Sequence, residues 1–252
     1  MAGATIITGA SSGIGRALAL ELARRGHDLG LTARRLDKLE ELRREIGAAS
    51  RVELRALDVR DTAAVHATIP ELAAALGQVD RIVANAGIGG GHAVGTGHFA
   101  TDRDIIETNV LGAMATIDSA LALFRAAGRG HVVGISSVAA FRGLPGSAAY
   151  SASKAALSTY LEAARVEVHP LGIRITTISP GFIDTPINEE LKNRPFVITA
   201  EAGARQIADM IEGGTVSSTV PRLPWGPFGA LMRAIPDTLW SRLGNLSPRN
   251  ER

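Results

Sequence analysis

Tyr150 and Lys154 form a pair whose residue types and spacing suit proton transfer. They stand four positions apart in a stretch of helical period, so both side chains lie on one helix face, one turn apart. A free phenol has a pKa of about 10, and a neighbouring ammonium favours its ionised form. The pair predicts Tyr150 as a general acid, although an isolated pair of this kind more often packs its ring and extends its amine to solvent.

Two adjacent serines, Ser136 and Ser137, end an apolar run that precedes this helix. A hydroxyl at the end of a strand can hydrogen-bond a substrate oxygen as that oxygen gains charge, and it needs no histidine to do so. The chain has no Gly-x-Ser-x-Gly elbow, and none of its six histidines is obviously placed to be a base. A serine-hydrolase interpretation is correspondingly weak.

A glycine-rich turn near the N-terminus predicts a phosphate-binding loop. The apolar run Thr5–Thr8 leads into three glycines and then into a helix. Without Cβ atoms the backbone can approach a pyrophosphate closely, and the helix N-terminus directs N–H groups and its dipole at the negative charge. The residues predicted to bind there are Gly9, Ser11, Ser12, Gly13, Ile14 and Gly15.

The end of the second apolar run favours NADP(H) over NAD(H). Dinucleotide folds that bind NAD usually have a carboxylate about 20 positions after the loop for the ribose hydroxyls, whereas this run ends Thr32-Ala33-Arg34-Arg35. Ala33 leaves space for an additional phosphate, and the guanidinium of Arg34, with Arg35 beside it, can bind that group. The alternative is that both arginines only begin a solvent-exposed helix.

These residues must be positioned by alternating strands and helices. The predicted strands are Thr5–Thr8, Leu29–Ala33, Val52–Leu57, Arg81–Ala84, His131–Ser136 and Arg174–Ile178, with Thr215–Val220 as a further candidate. The predicted helices are Ile14–Arg25, Leu36–Ile46, Ala63–Ala75, Arg103–Ala126, Ala149–His169 and Ala200–Glu212. The alternation predicts an α/β fold with a Rossmann-like, doubly wound parallel sheet and helices on both faces, in three α/β/α layers.

Composition limits the remaining classes of function. The 252 residues are 46% hydrophobic and 21% charged, which suits one α/β domain or two small ones. Because no linker or repeat is apparent, we expect a single dinucleotide-binding catalytic domain over 1–252. Cysteine is absent, so disulfides, thiolate catalysis and iron–sulfur centres are excluded, and we expect no metal site. The net charge of +2 gives no reason to expect nucleic acid as a partner. We expect a cytoplasmic protein, because no targeting segment or bilayer-length apolar run is apparent.

The C-terminal segment, about 215–246, is unusually apolar. It carries Trp225, Phe228 and Trp240 among many aliphatic residues, with three arginines at its margin. This pattern fits a lid over a ligand, a contact between subunits or a helix resting on lipid. We rank lid or subunit contact first and membrane contact last.

Several motifs in a fixed order resemble the short-chain dehydrogenase/reductase family, in its compact single-domain branch. The series is Thr8-Gly9-x-x-x-Gly13-x-Gly15, Asp58-Val59, Asn85-Ala86-Gly87, Asn109, Ser137, Tyr150-x-x-x-Lys154 and Pro180-Gly181. It spans most of the chain. The resemblance identifies Ser137 rather than Ser136 as the catalytic serine, because the family serine lies thirteen positions before the tyrosine.

The resemblance also implies roles that spacing alone does not give. Asn109 would complete a catalytic tetrad with Ser137, Tyr150 and Lys154. It would sit at a helix irregularity and link the lysine to solvent through water. Lys154 would also hold the nicotinamide ribose, and Tyr150 would contact the coenzyme as well. The further coenzyme contacts implied are Asp58 and Val59 at the adenine, Asn85, Ala86 and Gly87 along the cleft, and Pro180, Gly181, Ile183 and Thr185 at the nicotinamide amide and pyrophosphate.

The resemblance implies reversible hydride transfer between NADP(H) and a carbonyl or alcohol carbon, with Tyr150 exchanging the proton. Apolar residues such as Leu144, Phe182 and Ile187, with Phe141 and the tail aromatics, suggest a lipophilic or aromatic small-molecule substrate. Family members commonly pair through their long helices, so we expect a homodimer or homotetramer. Two alternatives stay open: a non-catalytic NADPH-sensing protein on the same fold, and an epimerase or dehydratase of the extended branch, for which too little chain follows Gly181.

Overall fold

The computed structural model describes residues 3–189 and 194–243. Within these residues, seven parallel strands form one sheet in the order β3-β2-β1-β4-β5-β6-β7. The strands are β1 (Ala4–Thr8), β2 (Leu29–Ala33), β3 (Val52–Ala56), β4 (Val79–Ala84), β5 (Gly130–Ile135), β6 (Ile173–Pro180) and β7 (Ser217–Val220). The predicted doubly wound parallel sheet is confirmed.

Helices cover both faces of this sheet. They are α1 (Gly13–Arg24), α2 (Leu36–Ile46), α3 (Thr62–Leu76), α4 (Phe99–Ile106), α5 (Ala113–Ala127), α6 (Ala148–Val168), α7 (Ala200–Glu212), α8 (Trp225–Ala234) and α9 (Asp237–Leu243). One apolar core joins the sheet to α1, α2 and α7, and a second joins it to α3, α5 and α6. Every residue of β1 and β2 is buried, as expected for strands covered on both sides.

One predicted helix, Arg103–Ala126, differs from the structure in two ways. The helical segment begins four residues earlier, at Phe99, after a loop containing Gly95 and Gly97 in the left-handed region. The residue before it, His98, makes no side-chain capping bond, so the sequence carries no start signal there. A π-helical turn over Glu107–Gly112 also separates α4 from α5. The other predicted bounds lie within two residues of those observed.

The continuous helical stretch Phe99–Ala127 corrects the expectation that no run is long and apolar enough to cross a bilayer. By length and composition alone this stretch qualifies, with a mean hydropathy of 1.4. Its inner side chains, including Ile117 and Phe124, are buried against the sheet. Core helices meet the same criterion, so the stretch is weak evidence for a membrane span.

The apolar C-terminal segment forms β7, α8 and α9. The two helices were not among the predicted elements. Residues 244–246 of the predicted segment lie outside the described residues.

Candidate active site

The carboxyl ends of the strands surround a cavity of about 480 Å³. It lies at the ends of the adjacent strands β1 and β4. From β1 the chain continues toward one edge of the sheet, and from β4 it continues toward the other edge. Doubly wound sheets bind ligands at this position. Most predicted site residues line it: Gly9, Ser11, Ser12, Gly13, Ile14, Arg34, Arg35, Asp58, Val59, Asn85, Ala86, Gly87, Ser137, Tyr150, Lys154, Pro180, Gly181, Ile183 and Thr185. Of the predicted residues, Gly15 and Asn109 do not line the cavity, and both lie behind its wall.

The glycine loop presents an uncapped helix N-terminus to this cavity. Helix α1 begins at Gly13, the side chain of Ser12 makes no capping bond, and the first turn carries no acidic residue. The N–H groups of an α-helix's first turn have no partner within the helix. A pyrophosphate is the type of anion that such a terminus binds, so the loop fits a dinucleotide.

Asn85 fixes the shape of the loop from the neighbouring strand. Its Nδ2 donates to the carbonyl oxygens of Thr8 and Gly9, at 2.9 and 3.2 Å. A Cβ atom on Gly15 would lie 2.4 Å from Asn85 Nδ2 and 2.5 Å from Gly9 O. Gly15 is therefore needed for close packing of α1 against the loop, and this explains why it does not face the cavity.

Arg34 and Arg35 stand exposed at the end of β2, on the cavity side. The last residue of β2 is the buried Ala33, so no carboxylate lies at the end of this strand. Asp58 also lines the cavity, but its carboxylate accepts hydrogen bonds from Arg60, the closest at 2.7 Å. This bond lowers the pKa of Asp58, and Arg34 contributes a smaller attraction. Arg60 was missed at the sequence level, although it lies only two positions from Asp58.

The two adjacent serines are placed differently. Ser136 Oγ donates to the Lys154 carbonyl oxygen at 3.0 Å and bonds Ser158 Oγ at 2.7 Å, so it joins β5 to α6. Ser137 Oγ accepts the Ala139 N–H at 3.1 Å and has only a long contact, 3.5 Å, to a carbonyl oxygen in β6. The Ser137 hydroxyl therefore donates a longer and weaker hydrogen bond than the Ser136 hydroxyl does.

Tyr150 and Lys154 lie in the first turns of α6 and both line the cavity. Lys154 Nζ lies 5.8 Å from the centre of the Tyr150 ring and donates a 3.0 Å hydrogen bond to Ile135 O. The lysine side chain is buried, and this burial lowers the pKa of its amine from 10.5 to about 8. The structure thus holds a titratable amine beside the phenol, at the end of β5.

Asn109 lies in the π-helical turn, which is the helix irregularity that the family resemblance implies. Its Oδ1 accepts the Ile88 N–H at 2.8 Å, while its Nδ2 donates to Ile88 O at 3.0 Å and to Ser153 Oγ at 3.1 Å. A Cβ on Gly87 would lie 3.1 Å from Asn109 Oδ1 and 3.3 Å from Lys154 Nζ, so the amide and the amine flank one backbone position. Ser153 was not predicted, although it directly precedes Lys154.

The cavity wall near Ser137 and Tyr150 is mostly apolar. The apolar residues there are Ile88, Val138, Leu144, Phe182, Pro186 and Ile187. Three aromatic residues expected at the pocket or its lid, Phe141, Trp225 and Phe228, do not line it. Trp225 packs on Phe182 from behind the wall. Phe228 packs on Trp225 and stays partly exposed, and Phe141 lies against Gly229.

Comparison with known sequences agrees with this geometry. The sequence profile of the short chain dehydrogenase family matches residues 4–195. An uncharacterized oxidoreductase of Mycobacterium tuberculosis is 37% identical over 241 residues, which cover 94% of this chain and 95% of that protein. An uncharacterized oxidoreductase of Myxococcus xanthus is 48% identical over 183 residues, 72% of each chain.

Two similar solved structures contain nucleotide coenzymes. The alcohol dehydrogenase from the archaeon Thermococcus sibiricus, complexed with 5-hydroxy-NADP, has a TM-score of 0.77 and 28% identity and covers 84% of this chain and 91% of its own. The short chain dehydrogenase from Mycobacterium paratuberculosis bound to NAD has a TM-score of 0.77 and 27% identity, with 86% and 94% covered. This chain therefore belongs to the short-chain dehydrogenase/reductase family of oxidoreductases.

Proposed function

We propose that the chain is an NADP(H)-dependent oxidoreductase that interconverts a carbonyl compound and its alcohol, with Tyr150 as general acid in reduction and general base in oxidation. One observation carries the proposal. Ser137, Tyr150 and Lys154 open on the same cavity as the glycine loop and Arg34. The groups needed for proton transfer and for coenzyme binding thus share one space.

Residues along the cavity fit a bound NADP(H), which would supply or accept the hydride. The glycine loop would hold the pyrophosphate, and Asp58 and Val59 would lie along the adenosine. Arg34 and Arg35 would bind the additional phosphate, which a guanidinium fork recognises well. The segment from Pro180 to Thr185 would contact the nicotinamide end. Because one similar structure holds a form of NADP and the other NAD, the preference for NADP(H) rests on Arg34 and the absence of a carboxylate at the end of β2.

The catalytic residues would each act on the substrate oxygen or on the proton it receives. Tyr150 would donate its phenolic proton, and the Ser137 hydroxyl would hydrogen-bond the same oxygen as charge develops on it. Lys154 would bind the nicotinamide ribose and favour the phenolate electrostatically. Asn109, behind the wall, would keep the lysine connected to solvent. The weak engagement of the Ser137 hydroxyl supports the choice of Ser137 over Ser136.

We expect coenzyme binding to be linked to proton uptake by Lys154. The buried amine has a pKa of about 8, so near pH 8.5 much of it is neutral in the free protein. An anionic coenzyme whose ribose accepts hydrogen bonds from the ammonium favours the charged form. Calorimetric titration with NADPH at pH 8.5, in buffers of different ionisation enthalpy, should show uptake of a fraction of a proton. Uptake should disappear in Lys154→Gln, and equal uptake by both proteins would contradict the assignment.

The substrate would be an uncharged, lipophilic carbonyl compound. Among the described residues, the charged side chains lining the cavity are Lys154 at the catalytic end and Arg34, Arg35 and Asp58 beyond β1. A substrate carboxylate would therefore be buried against apolar residues without a dedicated partner, which is costly. NADPH absorbance measured with pairs of ketones or aldehydes, identical except for a terminal carboxylate, should give about 100-fold higher kcat/KM for the neutral member. Preference for the charged member would contradict this substrate class.

The same absorbance measurement tests the reaction itself. Turnover of any member of a broad ketone, aldehyde and quinone panel supports an oxidoreductase, whereas coenzyme binding without turnover favours a sensing protein. The proposal includes one catalytic domain, a cytoplasmic location and a homodimer or homotetramer. The subunits would pair through α5 and α6, whose shared groove is lined by the alanines Ala122, Ala163 and Ala164 and by the charged residues Asp118, Arg125 and Glu167.

A further inference from the structure

The C-terminal helices contact the loop that follows Ser137. A Cβ on Gly229 of α8 would lie 2.4 Å from the Phe141 ring, and the guanidinium of Arg233 lies 4.3 Å from the centre of that ring. Trp240 of α9 donates from Nε1 to Gly143 O at 3.0 Å. Asp237, also on α9, forms an ion pair with the neighbouring Arg142. The two helices are therefore fastened to the segment directly after the candidate catalytic serine.

Trp225, the first residue of α8, contacts the opposite side of the same site. Its side chain is only 4% exposed. A Cβ on Gly181 would lie 2.1 Å from Trp225 Nε1, so the indole occupies the space of any side chain at that position. Gly181 and Phe182 both line the cavity. The indole thus supports the wall segment from behind.

The indole is held by ring packing. Its neighbours meet it edge-on, with centre-to-centre distances of 5.7 Å to Phe182, 5.9 Å to Phe196 and 5.7 Å to Phe228. The indole N–H has no hydrogen-bond partner in the part of the chain that the structure describes. Phe196 has a φ of 58°, a costly conformation for a bulky residue. Its ring contact with Trp225 helps to retain that conformation in the segment before α7.

We propose that Trp225 is a positioning residue, through which α8 holds the wall segment Gly181–Phe182 in the conformation that binds the coenzyme. The role rests on the proposed function, since it presumes that this wall contacts the nicotinamide end. Trp225 itself does not touch the cavity. It acts through the backbone of Gly181 and the ring of Phe182, and the contacts of Gly229 and Arg233 with the Phe141 ring keep α8 in place.

A size-exchange experiment on the full chain tests the role. Gly181→Ala adds a methyl group where the indole lies, and Trp225→Leu removes the indole. Isothermal titration with NADPH should show Kd raised about tenfold in each single variant. The double variant, in which leucine leaves space for the methyl group, should return to within about threefold of wild type. Trp225→Phe, which keeps an aromatic ring, should raise Kd less than Trp225→Leu does.

The control is Leu231→Ala, which shortens a mostly exposed side chain on the same helix, α8. Its Kd should stay within about twofold of wild type. Thermal unfolding identifies the folded variants, and Trp225→Phe replaces Trp225→Leu in the cycle if the latter does not fold. If the folded Trp225 variant keeps the wild-type Kd for NADPH, the positioning role alone is overturned. The same holds if the double variant binds NADPH no more tightly than the weaker-binding single variant. A wild-type protein that binds neither NADPH nor NADH overturns the proposed function, and this role with it.

Discussion

Tyr150→Phe should abolish measurable carbonyl reduction and leave the coenzyme bound. Loss of a general acid typically costs 10²–10⁴ in rate, so we expect kcat to fall about 1,000-fold. The phenylalanine ring fills the same space on α6, and the glycine loop and Arg34 are unchanged. The Kd for NADPH should therefore stay within about threefold of wild type. NADPH absorbance gives the first quantity, and calorimetric titration gives the second.

Tyr160→Phe is the matched control for this substitution. The chain has two tyrosines, and Tyr160 lies on the same helix but lines the groove between α5 and α6 instead of the catalytic cavity. It loses the same hydroxyl group, so kcat should remain within about twofold of wild type. If Tyr150→Phe keeps more than a tenth of the wild-type kcat, Tyr150 is not the proton donor. A rise in the Kd for NADPH as large as the fall in kcat would instead point to a role in coenzyme binding.

The sheet and most of the site could be predicted because the residues responsible are local in sequence. Strand β2 has the predicted bounds, Leu29–Ala33, since all five of its residues are buried and charged residues follow it. Parallel strands bring their carboxyl ends to one edge. The loop at the end of β1, Ser137 after β5 and Gly181 after β6 therefore had to meet there. The four-residue spacing of Tyr150 and Lys154 then placed both on one face of α6.

The second layer of the site could not be predicted, because it depends on contacts between distant segments. The sequence suggested Trp225 and Phe228 as pocket aromatics, yet Trp225 packs behind Phe182 and Phe228 packs on Trp225. The sequence does not distinguish an aromatic side chain that contacts a ligand from one that packs against another aromatic side chain. Helix α8 was missed because it begins after Pro224 without a capping bond, and its apolar residues face both the core and solvent. Leu231 is 58% exposed while the adjacent Met232 is buried, so no clear periodicity marks the helix.

The pairing of Asp58 with Arg60 was also missed, although these two residues are close in sequence. The carboxylate lies at the end of the cavity where the adenosine would bind, but Arg60 already neutralises much of its charge. That pairing leaves Arg34 and Arg35 as the dominant charges at this end of the cavity. This pattern of charges supports the proposed preference for NADP(H), the coenzyme that carries one more phosphate.

Reversing the charge at the end of β2 should reverse the coenzyme preference. Arg34→Asp removes a guanidinium that would bind the additional phosphate and adds a carboxylate able to accept hydrogen bonds from the ribose hydroxyls of NADH. Charge-assisted hydrogen bonds contribute about 1.5–3 kcal/mol each, so losing one and gaining repulsion should shift the NADPH-to-NADH ratio of kcat/KM by about 100-fold or more. Lys38→Asp makes the same change of charge on α2, at a side chain that does not line the cavity. Its ratio should change no more than about threefold, because long-range interactions between exposed charges are screened. An unchanged ratio in Arg34→Asp, or an equal shift in both variants, would mean that Arg34 only begins the solvent-exposed helix α2.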